Sequence, residues 1–432
     1  AFEHPVKVDF LGEKAFRRAA SSWYDEITDK DRELAALDAS TLLALGLVTE
    51  PVDLLAAEES SDVEGTLGFY DDETGELVVR GTDLGDTEVQ LTIVHELTHA
   101  LQDQHFDLGK LDSRTETSGE SAALNSLIEG DASLVEREYL WSLPQRVQDA
   151  YWNDLPGDGD GPADDASDGV PAVDGAPDPT WPVVLDLWTA VDYDLAPRAL
   201  DLVVAAHGRR ALDQLFRTPP TSEEQIIDPV ALDRGDVPVV VKLPSFVAGE
   251  TPKGEASDWG AFSWYLLLSS RLPWRQALTA VEGWGGDRYR SYVRAVDGAE
   301  QACVRLAVTG DTTHDTKELH QAIVDWAVAM PPGGTDVTRT GDRVILSACV
   351  TDEAPTSGDE AMGTAYDRLW ERTDQLAYLL DGDAPDEWRR CISDTLVDDV
   401  DIESLLYVDR DLTNAERRRI DSALDAAAEA CS

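Results

Sequence analysis

Acidic side chains outnumber basic ones by 86 to 35, and no motif in the chain limits its fold as severely as that imbalance. A formal net charge of −51 spread over 432 residues pushes a compact chain apart at low ionic strength. In about 1 M salt the Debye length falls to about 3 Å, and most of that repulsion is screened. The chain therefore reads as one built for concentrated salt, as the proteins of extreme halophiles are. The same charge excludes nucleic acid and anionic membranes as partners, because both repel an acidic surface. Hydrophobic residues still make up 42%, enough for an ordinary core. No run of about 18 apolar residues occurs, so no membrane span is expected. The first residue is Ala1, with no signal-peptide pattern after it. An export signal or anchor is therefore expected to have been removed or to lie outside these residues.

Four cysteines, Cys303, Cys349, Cys391 and Cys431, fall in the last third of the chain. None has the CxxC spacing of a metal site, and an even count fits two disulfides in an exported protein. Cys303 and Cys349 lie at the outer ends of two expected strands that can be neighbours, which favours the pairing Cys303–Cys349 and Cys391–Cys431.

Periodicity divides the rest. Helical patterns cover Glu13–Ile27 and Asp31–Leu45, and a hairpin follows, with Thr66–Tyr70 and Leu77–Arg80 around a Gly-containing turn. Apolar spacing predicts helices over 87–103 and from Gly119 to about Trp141. Residues 153–182 hold eight Asp, five Gly and six Pro without one Lys, Arg or Glu, and read as a surface loop. Its cluster Asp158, Asp160, Asp164 and Asp165 does not follow the EF-hand ligand pattern, and Pro162 interrupts it. Helices resume at 183–192, 196–216, 259–272 and 274–281, with 287–296 continuing that block. A β-α-β-β unit is expected over 302–350, then helices to the end.

The chemistry is concentrated in His95-Glu-Leu-Thr-His99, inside the helix expected at 87–103. Histidines four apart sit one turn above each other, so both imidazoles reach one ion. Glu96 stands where a carboxylate can take a proton from water activated by that ion. A third ligand is needed. His105 stands six residues beyond His99, but Gln102 occupies the position where a helix break would bring it back. If the helix continues, His105 projects roughly 100° away from the His95/His99 face. Glu129, on the apolar side of the following helix, is the better candidate, because an inward Glu without a cation is costly unless it binds metal. Glu120 and Asp131 are weaker substitutes, and Asp131 suits a role in orienting a ligand imidazole.

These residues carry a resemblance. His95-Glu-Leu-Thr-His-Ala-Leu-Gln-Asp-Gln104, Ile128-Glu-Gly-Asp-Ala132 and the Phe69-Tyr-Asp hairpin resemble a family of bacterial and archaeal zinc metallopeptidases. Pro219-Pro-Thr-Ser-Glu-Glu-Gln225 and Gly283-Trp-Gly-Gly-Asp-Arg-Tyr289 are similar to its later motifs, and the likeness spans roughly residues 35–350. Asp228 stands where a His is expected, so any contribution from that position is in question. The resemblance implies the zinc-peptidase class and says little about substrate.

The combined expectation is an α+β, predominantly helical protein. Residues 1–150 form a zincin-like catalytic module, 151–182 the acidic loop, 183–300 a helical half closing the cleft, and 301–432 the β-α-β-β unit with terminal helices. His95, His99 and Glu129 hold Zn²⁺ in the gluzincin arrangement and Glu96 is the catalytic base. The substrate is a peptide or protein, met outside the cell or at its surface. An edge strand from the hairpin pairs with an extended peptide. Tyr289, Arg288 and His207 are candidates for stabilising the oxyanion. The rival is a cell-surface binding protein that keeps the zincin scaffold without turnover.

Overall fold

Two small sheets, each covered by helices, make up the β part of the protein. The structure is a computed structural model that describes residues 1–81, 84–154, 181–296, 298–379, 391–393, 395–396 and 414–431. It is α+β and predominantly helical, as expected. The acidic stretch with Asp158, Asp160, Asp164 and Asp165 lies outside the described residues.

The first sheet has the order β1-β3-β2, with β1 at Lys7–Leu11, β2 at Gly68–Asp71 and β3 at Glu76–Arg80. The hairpin runs antiparallel, and its turn is closed by Asp71, whose side chain accepts the amides of Glu73 and Thr74. β1, which no pattern in the sequence announced, adds in parallel to the other side of β3. The middle strand β3 buries Leu77 and Val79 and is paired on both sides, so the edges are β1 and β2 and not Leu77–Arg80.

The sheet packs on the helix Thr87–Phe106, hereafter the motif helix. Asp86 caps its start by accepting the Glu88 amide, and it ends at Asp107 in a left-handed conformation. It is three residues longer than expected and runs unbroken through Gln102. Beside it lies the helix Ser118–Ser142, capped by the Thr117 hydroxyl. Between the helices Val183–Ala190 and Ala196–His207 the chain forms one π-helical turn, Val191–Leu195, which packs against Ser118–Ser142.

The second sheet is antiparallel throughout, with the order β4-β5-β6-β8-β7. Its strands are β4 at Glu250–Pro252, β5 at Trp284–Val296, β6 at Ala299–Gly310, β7 at Thr335–Thr340 and β8 at Arg343–Cys349. Here the helical reading of residues 287–296 fails. They are extended and pair along their whole length with β6, so the sheet begins before residue 300. The pattern is ambiguous locally, and only the distant partner strand decides it. The expected β-α-β-β unit is present as β6, the helix Thr313–Val328, β7 and β8. Cys303 stands directly opposite Cys349 in the β6/β8 register, and the two are bonded, as are Cys391 and Cys431.

The main core is centred on the helix Ala261–Ser269, every residue of which is buried. Trp264, Trp284 and Trp326 are fully enclosed in it. Among the described residues, no helix is long and apolar enough to cross a membrane.

Candidate metal centre

The motif helix and Ser118–Ser142 lie side by side, and the contact between them brings His95, His99 and Glu129 together. The Nε2 atoms of both histidines point at one oxygen of Glu129, at 3.1 Å from His95 and 3.4 Å from His99. Both rings are buried, and the Glu129 side chain is 16% exposed. One donor atom from each residue lies within 4.8 Å of the others, so the group could hold a metal ion. Ligand atoms on tetrahedral arms of about 2.0–2.1 Å stand about 3.3 Å apart, which matches the two spacings to Glu129.

Second partners orient the rings. His95 Nδ1 faces Glu136 Oε2 at 3.1 Å, and a carboxylate there accepts the ring proton. His99 Nδ1 faces Gln102 Oε1 at 3.0 Å. The orientation of that amide follows from its other end. Gln102 Nε2 donates to the Ile128 carbonyl and to Asp131 Oδ2, both at 3.0 Å and both acceptors only. Oε1 must therefore turn to His99 and take its Nδ1 proton. With Nδ1 so engaged, Nε2 is the atom that each ring would offer to an ion once its own proton has left.

Charge is balanced tightly. Burial opposes protonation of His95, but the hydrogen bonds of Glu129 and Glu136 outweigh it and hold the imidazole well above its ordinary value. Burial likewise opposes charge on Glu129, and the two imidazoles override it, holding that carboxyl far below the usual range. Glu96 goes the other way. Burial pushes its carboxyl up and Glu129 adds to this, while His99, His95 and the Tyr70 backbone N–H act against the rise.

The Tyr70 contact places the hairpin. The Arg80 amide donates to Leu67 O at 2.7 Å, which sets the phase of hydrogen bonding so that Gly68 and Tyr70 turn their peptide groups outward. One of these, the Tyr70 N–H, meets Glu96. A Cβ at Gly68 would come within 2.6 Å of Thr92 Cγ2, so glycine lets β2 lie this close to the motif helix.

Two residues at the cluster were missed in the sequence. Glu136 is seven positions after Glu129, hence two turns along the same helix face, and that spacing was a usable signal. Tyr193, on the π turn, stacks on His95 with ring centroids 6.1 Å apart, and its phenol donates to Glu129. Nothing local in Val191–Leu195 announces this.

The other candidates lie elsewhere. His105 faces the Ala1 carbonyl at 2.8 Å, at the exposed end of the unbroken motif helix. Glu120 accepts the Glu116 amide in the first turn of its helix. Asp131 accepts from Gln102, whose other end faces His99. Arg288 donates to the Ala256 carbonyl, and Tyr289 packs edge-on against Trp259. His207 closes the helix Ala196–His207 at the surface. Asp228 caps a helix, accepting the Val230 amide at 3.0 Å.

Comparisons with protein-family models, with curated proteins and with solved structures return no match for the chain.

Proposed function

We propose that this protein is a zinc metallopeptidase of gluzincin type, with His95, His99 and Glu129 as the metal ligands. The observation that carries the proposal is the convergence of two imidazole nitrogens on one carboxylate oxygen, at 3.1 and 3.4 Å, with Glu96 next to the first ligand. Two nitrogens and one oxygen suit zinc and leave a fourth position for water or substrate. A zinc ion held there supplies Lewis acidity towards the scissile carbonyl and towards water.

The chain's own residues do the rest. Glu96, with its carboxyl raised by burial, accepts a proton from the attacking water and returns it to the leaving amine. The Tyr70 N–H holds that carboxylate in place. The outward peptide groups of β2 offer an edge to an extended substrate. Tyr193, protonated and aimed at the cluster, is the donor best placed to meet negative charge developing on the substrate oxygen. Two disulfides are compatible with an oxidising, extracytoplasmic setting.

The test is Glu96→Gln, assayed in concentrated salt against a peptide library together with zinc content. Hydrolysis falls to background while zinc stoichiometry stays at the parental value. Hydrolysis retained in the variant refutes the assignment, and zinc binding without any hydrolysis in the parent favours the binding-scaffold reading.

A further inference from the structure

Away from the metal cluster, a second group of acids lies where Ser118–Ser142, the π turn, the segment before Ala261–Ser269 and the start of β5 meet. At its centre is Glu223, just before the short helix Glu224–Ile227. The residue is partly exposed, but its Oε2 is shut away from solvent and has no hydrogen-bond partner. The carboxyl rests directly on Gly260, whose φ of +92° and bare Cα make the room; a Cβ there would overlap Oε2.

The charged groups that face Glu223 are all carboxylates: Asp258 before the core helix, Asp287 on β5 and Asp192 on the π turn. Each of these has donors of its own. Asp287 accepts the backbone amides of Trp259 and Gly260 and the indole N–H groups of Trp264 and Trp284. Asp258 accepts the Gly119 amide and the Ser257 hydroxyl. Asp192 accepts from Asn125 and Ser126. The donors named here are all directed to aspartates, and Glu223 Oε2 receives none; the neighbouring Ser222 hydroxyl and Trp259 indole N–H are also without a hydrogen-bond partner. An anion enclosed among three other carboxylates, without donor or cation, is the costliest way to bury a carboxyl, and uptake of a proton removes that cost.

We propose that Glu223 is a proton-operated latch: as the neutral acid it lets the π turn, the Asp258–Gly260 segment and β5 close on one another, and as the carboxylate it drives them apart. The latch reaches the metal cluster through two short links. Asp192 is tied to Ser126, one turn before Glu129 on the same helix, and its neighbour Tyr193 donates to Glu129. Opening at Glu223 therefore loosens the ligand helix and the phenol that steadies Glu129.

The sign follows from linkage. Burial first, and the neighbouring carboxylates after it, push the Glu223 carboxyl up to about 8, against about 4.3 in an unfolded chain. The folded state holds the extra proton, so the contribution of Glu223 to stability is complete below the unfolded value. It declines as pH rises and is lost once pH passes about 8. Asp287 and Asp192, raised to about 6 and about 7, act in the same direction over a lower range, so a variant is needed to isolate Glu223.

The experiment measures the thermal midpoint and tryptophan fluorescence of the full chain from about pH 5 to about pH 9 at constant high salt. Neither readout depends on peptidase activity. Glu223→Gln is expected to match the parent at the acid end, to exceed its midpoint at the alkaline end, and to lack the alkaline fluorescence transition. Asp258→Asn removes one of the facing charges, so the ionised, closed state is less strained: if like-charge repulsion opens the latch, the parent's alkaline loss of midpoint and its fluorescence change both shrink, and if it does not, both keep their parental size. Only that shrinkage, together with the flattened Glu223→Gln profile, supports the latch. A parent and Glu223→Gln with superimposable profiles overturn it. So does a rise in the parent's alkaline midpoint on adding calcium chloride that Glu223→Gln lacks, since Glu223 would then hold a cation rather than a proton. Should Glu223→Gln fail to fold, the size of the alkaline effect in Asp258→Asn alone decides.

Discussion

Glu129 and Glu223 each have a carboxyl largely withdrawn from water, and their surroundings drive them in opposite directions. Glu129 faces two imidazoles and a phenol, and is held as an anion far below the usual range. Glu223 faces three carboxylates and is pushed to about 8. Burial raises both; the neighbours decide the outcome. A buried acid is thus not a site by virtue of burial. It becomes a candidate metal ligand where other ligand atoms converge on it, and a proton store where only like charges do.

Replacing each acid in turn is the most direct way to break that contrast. Glu129→Ala is expected to abolish zinc uptake in elemental analysis, whereas Glu223→Ala retains it. If both lose zinc, the two clusters are one functional unit, and the distinction between them fails.

The next step down is the support of the imidazoles. Glu136→Gln and Gln102→Leu should each weaken zinc binding by about 10–100-fold in chelator competition, because each ring loses the acceptor that fixes its proton. Gln102→Leu sharpens the comparison further. The His99 partner is a neutral amide locked by Ile128 and Asp131, so an unchanged affinity would mean that the lock is not what orients His99.

The smallest change is expected from Tyr193→Phe. Losing one hydrogen bond to Glu129 costs about 0.5–1.5 kcal/mol, or up to about tenfold in zinc affinity. A larger loss in turnover than in affinity would assign the phenol to the reaction itself, and equal losses would confine it to steadying Glu129.

Much of the α part was legible because helix signals are local. Thr28 with Asp31 and Thr312 with Asp315 form capping boxes, and the helix that the first one opens begins at Asp29, two residues before the start that periodicity gave it. Strands were less so. β1 is five residues long, and its partner is about seventy positions away. β5 carries a pattern compatible with a helix until β6 is laid beside it. The cysteine pairing was legible because the two strands that carry the first bridge were expected as neighbours; Cys349 ends β8, while Cys303 lies inside β6 and directly opposite it.

The same division holds at the site. His95, Glu96 and His99 are brought to one turn of helix by their spacing alone, since 3.6 residues per turn is a property of the backbone. Glu129 required only the added inference that an inward acid on the next helix has a reason to be there. Glu136 was within reach of the same periodicity. Tyr193, the Tyr70 N–H on Glu96 and the carboxylates around Glu223 were not, because each depends on how separate elements dock. A sequence carries the geometry of a single helix in its spacing. Which charges end up facing one another across a junction, and so which buried acid keeps its charge and which takes up a proton, is decided only when the elements pack.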